Sequence, residues 1–203
     1  MNELHKLGNA LIVLGVILIV SATILVMYNI DQDGDVGKAT GEIVSELSDE
    51  IADRERLLPK TEEEAIAMRD QGKNVVVIDG REYIGYLTVP SQSLELPILS
   101  ACSSANLKIA PCRYSGGALA DTFVLAGHNY RSHFGKLTNL SVGDTIRFTN
   151  VFGVVFEYTV VELQSLRPTA VSAMKSDEYD LTLFTCNLAG NARFTVRCMR
   201  NYS

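Results

Sequence analysis

From Leu7 through Ile30 the chain carries no charged residue, and its polar interruptions are Asn9, Ser21, Thr23 and Asn29. A helix over these residues extends roughly 36 Å at about 1.5 Å per residue, more than the ~30 Å hydrocarbon slab of a bilayer. A cleaved signal peptide has a shorter apolar run, about 7–15 residues, ahead of a small-residue cleavage site. Val20-Ser21-Ala22 imitates such a site, but Ile24-Leu25-Val26-Met27 follows it, so the pattern predicts a retained membrane anchor over 7–30. Asp31–Gly37 is rich in Gly and Asp and reads as a flexible exit from the bilayer. Val36, Ile43, Val44, Leu47 and Ile51 then recur at mostly three- to four-residue intervals among Glu and Asp, which predicts an amphipathic helix. A second helical stretch is expected at Glu62–Gln71.

From Val75 the period shortens to that of strands. Val75–Ile78, the turn pair Asp79-Gly80 and Glu82–Val89 predict a hairpin, since Asp-Gly tolerates the positive φ angles of a tight type I′ turn. Further strand-like runs are Leu94–Ile98, Leu107–Ala110, Thr122–Ala126, Thr145–Thr149, Val154–Leu163, Leu181–Thr185 and Arg193–Met199, with one helical patch at Ser132–Leu140. Many short strands with little helix indicate an all-β barrel or sandwich. The expected organisation is a terminus over 1–6, an anchor over 7–30, an acidic helical stalk over 31–72, read chiefly as a spacer, and a catalytic β-domain over 73–203.

Charge orients this arrangement. Lys6, beside His5, precedes the apolar run, and Asp31, Asp33 and Asp35 follow it. Positive charge near a span is retained in the cytoplasm, so the N-terminus is expected inside and everything after Asp31 outside, at the cell membrane. Residues 31–70 carry net −8 and residues 71–203 net +2, which places the acidic surplus in the stalk. With no basic run, no zinc-type Cys/His spacing and a pI near 5.1, nucleic-acid binding has little support.

Three reactive side chains lie in the strand-rich part. Cys186 ends the run Thr182-Leu183-Phe184-Thr185, where a loop begins, and a thiol at a strand end is accessible and becomes nucleophilic when a neighbouring cation stabilises its thiolate. His128 follows an apolar run and a Gly that allows a sharp exit, so its imidazole can overhang a groove and donate a proton to a leaving amine. His133 is the competing histidine and reads as a surface or packing residue. Arg193 opens the last strand and can donate two hydrogen bonds to a carbonyl or oxyanion. Arg197 shares its face but stands roughly 13 Å further along at ~3.3 Å per residue. No Asp or Glu has a claim to orient the histidine.

TLFTC, seven residues ahead of an Arg that opens a strand, resembles the signature of the sortases, the cell-wall cysteine transpeptidases of Gram-positive bacteria. The resemblance extends from about Tyr83 to Arg200 and takes in YIGYLTVPS, LAGHN around His128 and VGDTI after it. It implies a closed, mostly eight-stranded β-barrel in which the Cys and Arg strands lie side by side and the His loop overhangs them. It also implies that Cys186, His128 and Arg193 form the catalytic constellation, with Thr182 and Thr185 shaping the pocket and oxyanion region. The implied substrate is a secreted protein bearing a Leu-Pro-x-Thr-Gly-like sorting signal, and the implied acceptor an amine of the cell wall or of another protein. No second apolar span follows and no Asp-Pro-aromatic lid precedes the barrel, which points away from the pilin-polymerising subclass.

The remaining cysteines leave alternatives open. Cys102 and Cys112 could pair in an exported domain, at a separation that suits a hairpin, though three leftover thiols weigh against any disulfide. Cys198 lies at odd spacing from Arg193, so alternation turns it to the opposite face as a buried free thiol. Glu157 and Glu162 could join a calcium site like that of some sortases, but two acids in a strand are more often solvent-facing, and no metal or other cofactor is assigned. Other readings are a membrane-tethered cysteine peptidase, an L,D-transpeptidase, or a non-enzymatic β-barrel binding module. The papain-like order is disfavoured because His128 precedes Cys186 by 58 residues.

Overall fold

A computed structural model describes residues 2–56, 74–120, 122–187 and 190–202. Helix α1 spans Asn2–Arg56, so Asp31–Gly37, expected as a flexible exit, is helical instead: backbone hydrogen bonding continues through its glycines. Its apolar stretch is long and apolar enough to cross a membrane, with mean hydropathy 2.8 and none of it buried in protein. The chain divides into two compact units, 1–36 and 37–203.

Within the second unit nine strands follow in order: β1 (Val76–Ile78), β2 (Arg81–Val89), β3 (Leu94–Leu99), β4 (Cys112–Gly116), β5 (Phe123–Gly127), β6 (Thr145–Asn150), β7 (Val155–Leu166), β8 (Leu181–Cys186) and β9 (Arg193–Arg200). They hydrogen-bond in the order β1-β2-β3-β4-β5-β8-β9-β7-β6, and a β2–β6 pairing closes β2 through β9 into an eight-stranded barrel with β1 as an extra edge. Closure removes the unpaired edges that an open sheet would present. At the seam, Gly85 sits at a bulge in β2 with φ 143°, and a Cβ there would meet the Thr149 carbonyl oxygen at 2.0 Å. Only glycine lets these two backbones approach so closely. The Asp79-Gly80 turn has the expected two positive φ angles, 50° and 72°.

Two apolar layers follow from the two-residue period. Leu87, Leu96, Phe123, Leu125, Phe148, Leu181, Leu183 and Val196 fill the barrel interior. Val124, Ala126 and Phe184, on the alternate positions, face outward into a second cluster with Ile78, Tyr83, Leu99 and Cys112. Because both faces are covered, β5 reads as a continuous apolar run and β8 is buried from Leu181 through Thr185.

The second cluster also contains Leu47 and Ile51 of α1. Thr40, Val44, Leu47 and Ile51 form one buried stripe at helical spacing. The segment expected as a spacer over 31–72 thus includes residues that pack on the barrel. The helix expected at Glu62–Gln71 lies outside the described residues.

The run Leu107–Ala110, expected as a strand, is instead the end of a short helix, α2 (Ser104–Leu107), and the turn after it. Ser103 caps that helix by accepting a hydrogen bond from the Asn106 N–H, and Ala110 N–H donates to the Asn106 carbonyl, so local capping outweighs β-propensity. The strand is displaced to Cys112–Gly116. Cys102 and Cys112 form a disulfide, which joins the segment after β3 to the start of β4. These strands pair in parallel, Leu99 opposite Cys112, so the bridge ties a crossover and not a hairpin. Cys198 is a buried free thiol inside the barrel, as alternation predicts. A further short helix, α3 (Val171–Met174), lies between β7 and β8.

Candidate active site

Cys186 and Arg193 are directly opposite in the antiparallel β8–β9 pair. Opposed residues share a face with Cβ atoms about 4.5–5.5 Å apart, so the thiol and the guanidinium rise from neighbouring roots. The connection between them is short and is organised by Asn187. Its N–H donates to the Ala192 carbonyl at 3.0 Å, its side-chain oxygen accepts from the Ala192 N–H at 3.1 Å, and its carbonyl accepts from the Gly190 N–H at 3.0 Å. Arg193 is half-buried, and its Nη1 is enclosed without a hydrogen-bond partner among the described residues. A buried donor without an acceptor is costly, and a substrate carbonyl or oxyanion would satisfy it.

On the other side β5 runs parallel to β8, with Gly127 opposite Thr185. His128 therefore leaves β5 level with the strand end that carries Cys186. A Cβ at Gly127 would lie 2.6 Å from the Phe134 ring, so glycine is needed for that ring to pack flat against the strand. The loop is knit by Phe134 N–H to the His128 carbonyl at 3.0 Å and Gly135 N–H to the Tyr130 carbonyl at 2.8 Å. The imidazole stacks at a tilt on Tyr130, ring centres 5.0 Å apart. Burial, and secondarily the Lys108 ammonium, hold its pKa below the usual histidine value, which keeps the resting ring neutral at neutral pH. No carboxylate bonds it among the described residues. His133 is fully buried and packs against Tyr130 at 5.5 Å.

The two threonines fall differently from each other. Thr185 is adjacent to Cys186, so alternation turns it to the opposite face, where it is buried with its hydroxyl unpartnered among the described residues. Thr182 shares the Cys186 face but lies a full four residues away, and its hydroxyl accepts from Arg197 Nη1 at 2.8 Å. Arg197, opposite Thr182, is fully buried. Its guanidinium donates to the carbonyls of Met174, at 3.1 Å, and Ala173, and lies 4.9 Å from the Tyr179 ring centre. With its amide oriented oxygen-inward, Gln164 accepts from Nε at 2.7 Å. Arg197 thereby fastens the β7–β8 segment over the outer face of the barrel. Sequence reasoning missed this anchor and the Lys108 charge, because both depend on partners that strand periodicity does not disclose.

Glu157 is held by Arg147 at 2.9 Å and Asn201 at 3.1 Å, and Glu162 accepts from the Tyr179 hydroxyl. Among the described residues no three potential metal ligands cluster.

A closed barrel of this topology, with a thiol and a guanidinium opposed on two central strands, defines a class. A family profile described as a sortase domain matches residues 87–201. The chain belongs to the sortase family. It is 28% identical over 115 residues to sortase A of Bacillus anthracis, a match covering 54% of each chain, so it spans about half the length of that curated relative. The fold resembles a sortase D5 transpeptidase of Clostridium perfringens at 17% identity and TM-score 0.61, covering 81% of this chain and 99% of that one. It also resembles sortase C1 of Streptococcus agalactiae at 21% identity and TM-score 0.59, covering 74% and 95%. Sortase C proteins thus stand among the fold neighbours, and the expectation that this chain lies outside the pilin-polymerising type is not borne out. The physical reason is that a lid or a second span is an appended segment, whereas the barrel is common to the subclasses.

Proposed function

We propose that this chain is a membrane-anchored cysteine transpeptidase, with its N-terminus cytoplasmic and its barrel outside, in which Cys186, His128 and Arg193 carry the chemistry. The observation that carries the reading is the direct opposition of Cys186 and Arg193, beside the strand that His128 directly follows. The Cys186 thiolate attacks the Thr carbonyl carbon of a Leu-Pro-x-Thr-Gly-like signal, forming the C–S bond and moving the carbonyl pair onto oxygen. Arg193 donates to that oxyanion. Collapse breaks the Thr–Gly C–N bond as the His128 imidazolium gives its proton to the departing amine. An acceptor amine of the cell wall or of another protein then attacks the thioester. Its proton passes to His128, and the Cys186 thiolate leaves.

By the resemblance to the sortases, the Cys186–His128 pair reacts from a minor thiolate–imidazolium population. The test is incubation of the full chain in detergent with a panel of sorting peptides and an amine, followed by mass spectrometry. Transfer product and a thioester adduct at Cys186 are expected, both lost in Cys186→Ala. Product formed by a folded Cys186→Ala variant at a substantial fraction of the wild-type rate refutes the assignment.

A further inference from the structure

We infer that the polar cleft between the β2–β3 connection and the segment following His128 is an oxyanion subsite for the acidic group of the amine acceptor. This rests on the transpeptidase reading for the identity of the ligand, though not for the binding chemistry.

The cleft has a volume of about 530 Å³, and its lining includes Ser91, Gln92, Ser93, Arg131, Lys136 and Asn139, with two cations and no acid among all its residues. Its two walls are tied together. Lys136 Nζ donates to the Gln92 carbonyl at 3.1 Å, and Asn139 Nδ2 donates to Gln92 Oε1 at 3.4 Å. These bonds leave two of the three ammonium hydrogens of Lys136 available. The Arg131 guanidinium and the hydroxyls of Ser91 and Ser93 have no hydrogen-bond partner among the described residues. The cleft therefore presents a guanidinium, an ammonium and two hydroxyls, a donor set that suits a carboxylate or phosphate.

Its position gives the donors a role. Arg131 is three residues beyond His128, in the loop fixed by the Tyr130–Gly135 and His128–Phe134 backbone bonds. An acceptor must bring its amine to the thioester on Cys186 and its proton to His128. An acidic group of that acceptor seated against Arg131 and Lys136 would hold the amine on the histidine side of the thiol, and raise its local concentration there. Because both cations reach solvent, the attraction weakens with salt.

The probes are inorganic phosphate and acetate, titrated separately into the full chain in nonionic detergent at low ionic strength and followed by amide chemical shifts. Saturable shifts confined to Arg131, Gly135, Lys136 and Ser91–Ser93 are expected, with affinity at least tenfold weaker in Arg131→Gln/Lys136→Gln and largely kept in Arg131→Lys. The two anions separate phosphate from carboxylate preference. Shifts that do not saturate, or equal affinity in wild type and the double variant, overturn the subsite. A second measurement compares transfer to triglycine with transfer to triglycinamide, which lacks the carboxylate. Phosphate should suppress the former selectively, and equal suppression overturns the acceptor role. If no sorting peptide is cleaved at all, the transpeptidase reading fails, while the titration still decides the anion site.

Discussion

Arg193 and Arg197 lie on one strand face, yet their surroundings assign them opposite consequences. Arg197→Ala would strip buried acceptors of their donor: the carbonyls of Met174 and Ala173 and the Thr182 hydroxyl. Each unsatisfied buried group costs about 1–3 kcal/mol. Allowing for partial relaxation, a net loss of about 3 kcal/mol follows, which in a unit of this size lowers the midpoint of thermal unfolding by roughly 6–12 °C. Arg193→Ala removes a side chain whose buried Nη1 has no internal acceptor among the described residues, so its stability effect should stay below about 1 kcal/mol. Its loss should instead lower kcat/KM about 10²–10³-fold, the measure of one deleted oxyanion donor. Both variants are compared by thermal denaturation and by cleavage of one sorting peptide at a temperature where both are folded. A folded Arg197→Ala that loses more kcat/KM than Arg193→Ala would show that the wrong guanidinium has been placed at the reaction.

Chains beginning at residue 71 should be less stable than chains beginning at Gly37, because Val44, Leu47 and Ile51 are buried and each contributes about 1.5–3 kcal/mol; equal urea midpoints for the two would refute this. Cys102→Ala/Cys112→Ala should lose about 2–3 kcal/mol and keep its cleavage activity when folded, since the bridge closes a short crossover and supplies none of the proposed reacting groups; unchanged denaturation would count against a stabilising bridge. Burial, then Lys108, depresses the His128 pKa, so the folded state resists protonation that the unfolded state accepts near 6.5. Stability is thus full above that value and declines as pH falls toward the folded pKa, and His128→Gln should flatten this decline. Lys108→Gln should move the imidazole titration upward in NMR, and a downward move would refute the stated cause.

Strand periodicity and turn chemistry made most of the barrel legible. Asp79-Gly80 could hardly adopt another turn, and the spacing of Arg193 and Cys198 gave their opposite faces at once. The proposed triple, Cys186, His128 and Arg193, was read from a different source, a local sequence signature. What escaped was decided by tertiary contact. Leu107–Ala110 looks like a strand until Ser103 caps a helix beneath it. The stripe Thr40, Val44, Leu47 and Ile51 is amphipathic in either a spacer or a docked helix, and only the apolar surface it meets separates the two. Cys102 and Cys112 gave no sign of the parallel pairing that brings them together.

The three residues proposed to react hang from one three-strand ribbon, with β8 as its middle rail. Their mutual placement is written in backbone register, Gly127 against Thr185 and Cys186 against Arg193, not in contacts among their side chains. The long stretch from His128 to Leu181 includes β7, which pairs along the outer edge of β9, but it never enters between the three strands. Evolution or an engineer can therefore rewrite its connecting loops while the proposed reacting atoms keep their address. A slip of one residue in β8 would do the reverse, turning Cys186 into the barrel and dispersing the proposed site with every one of its residues still present.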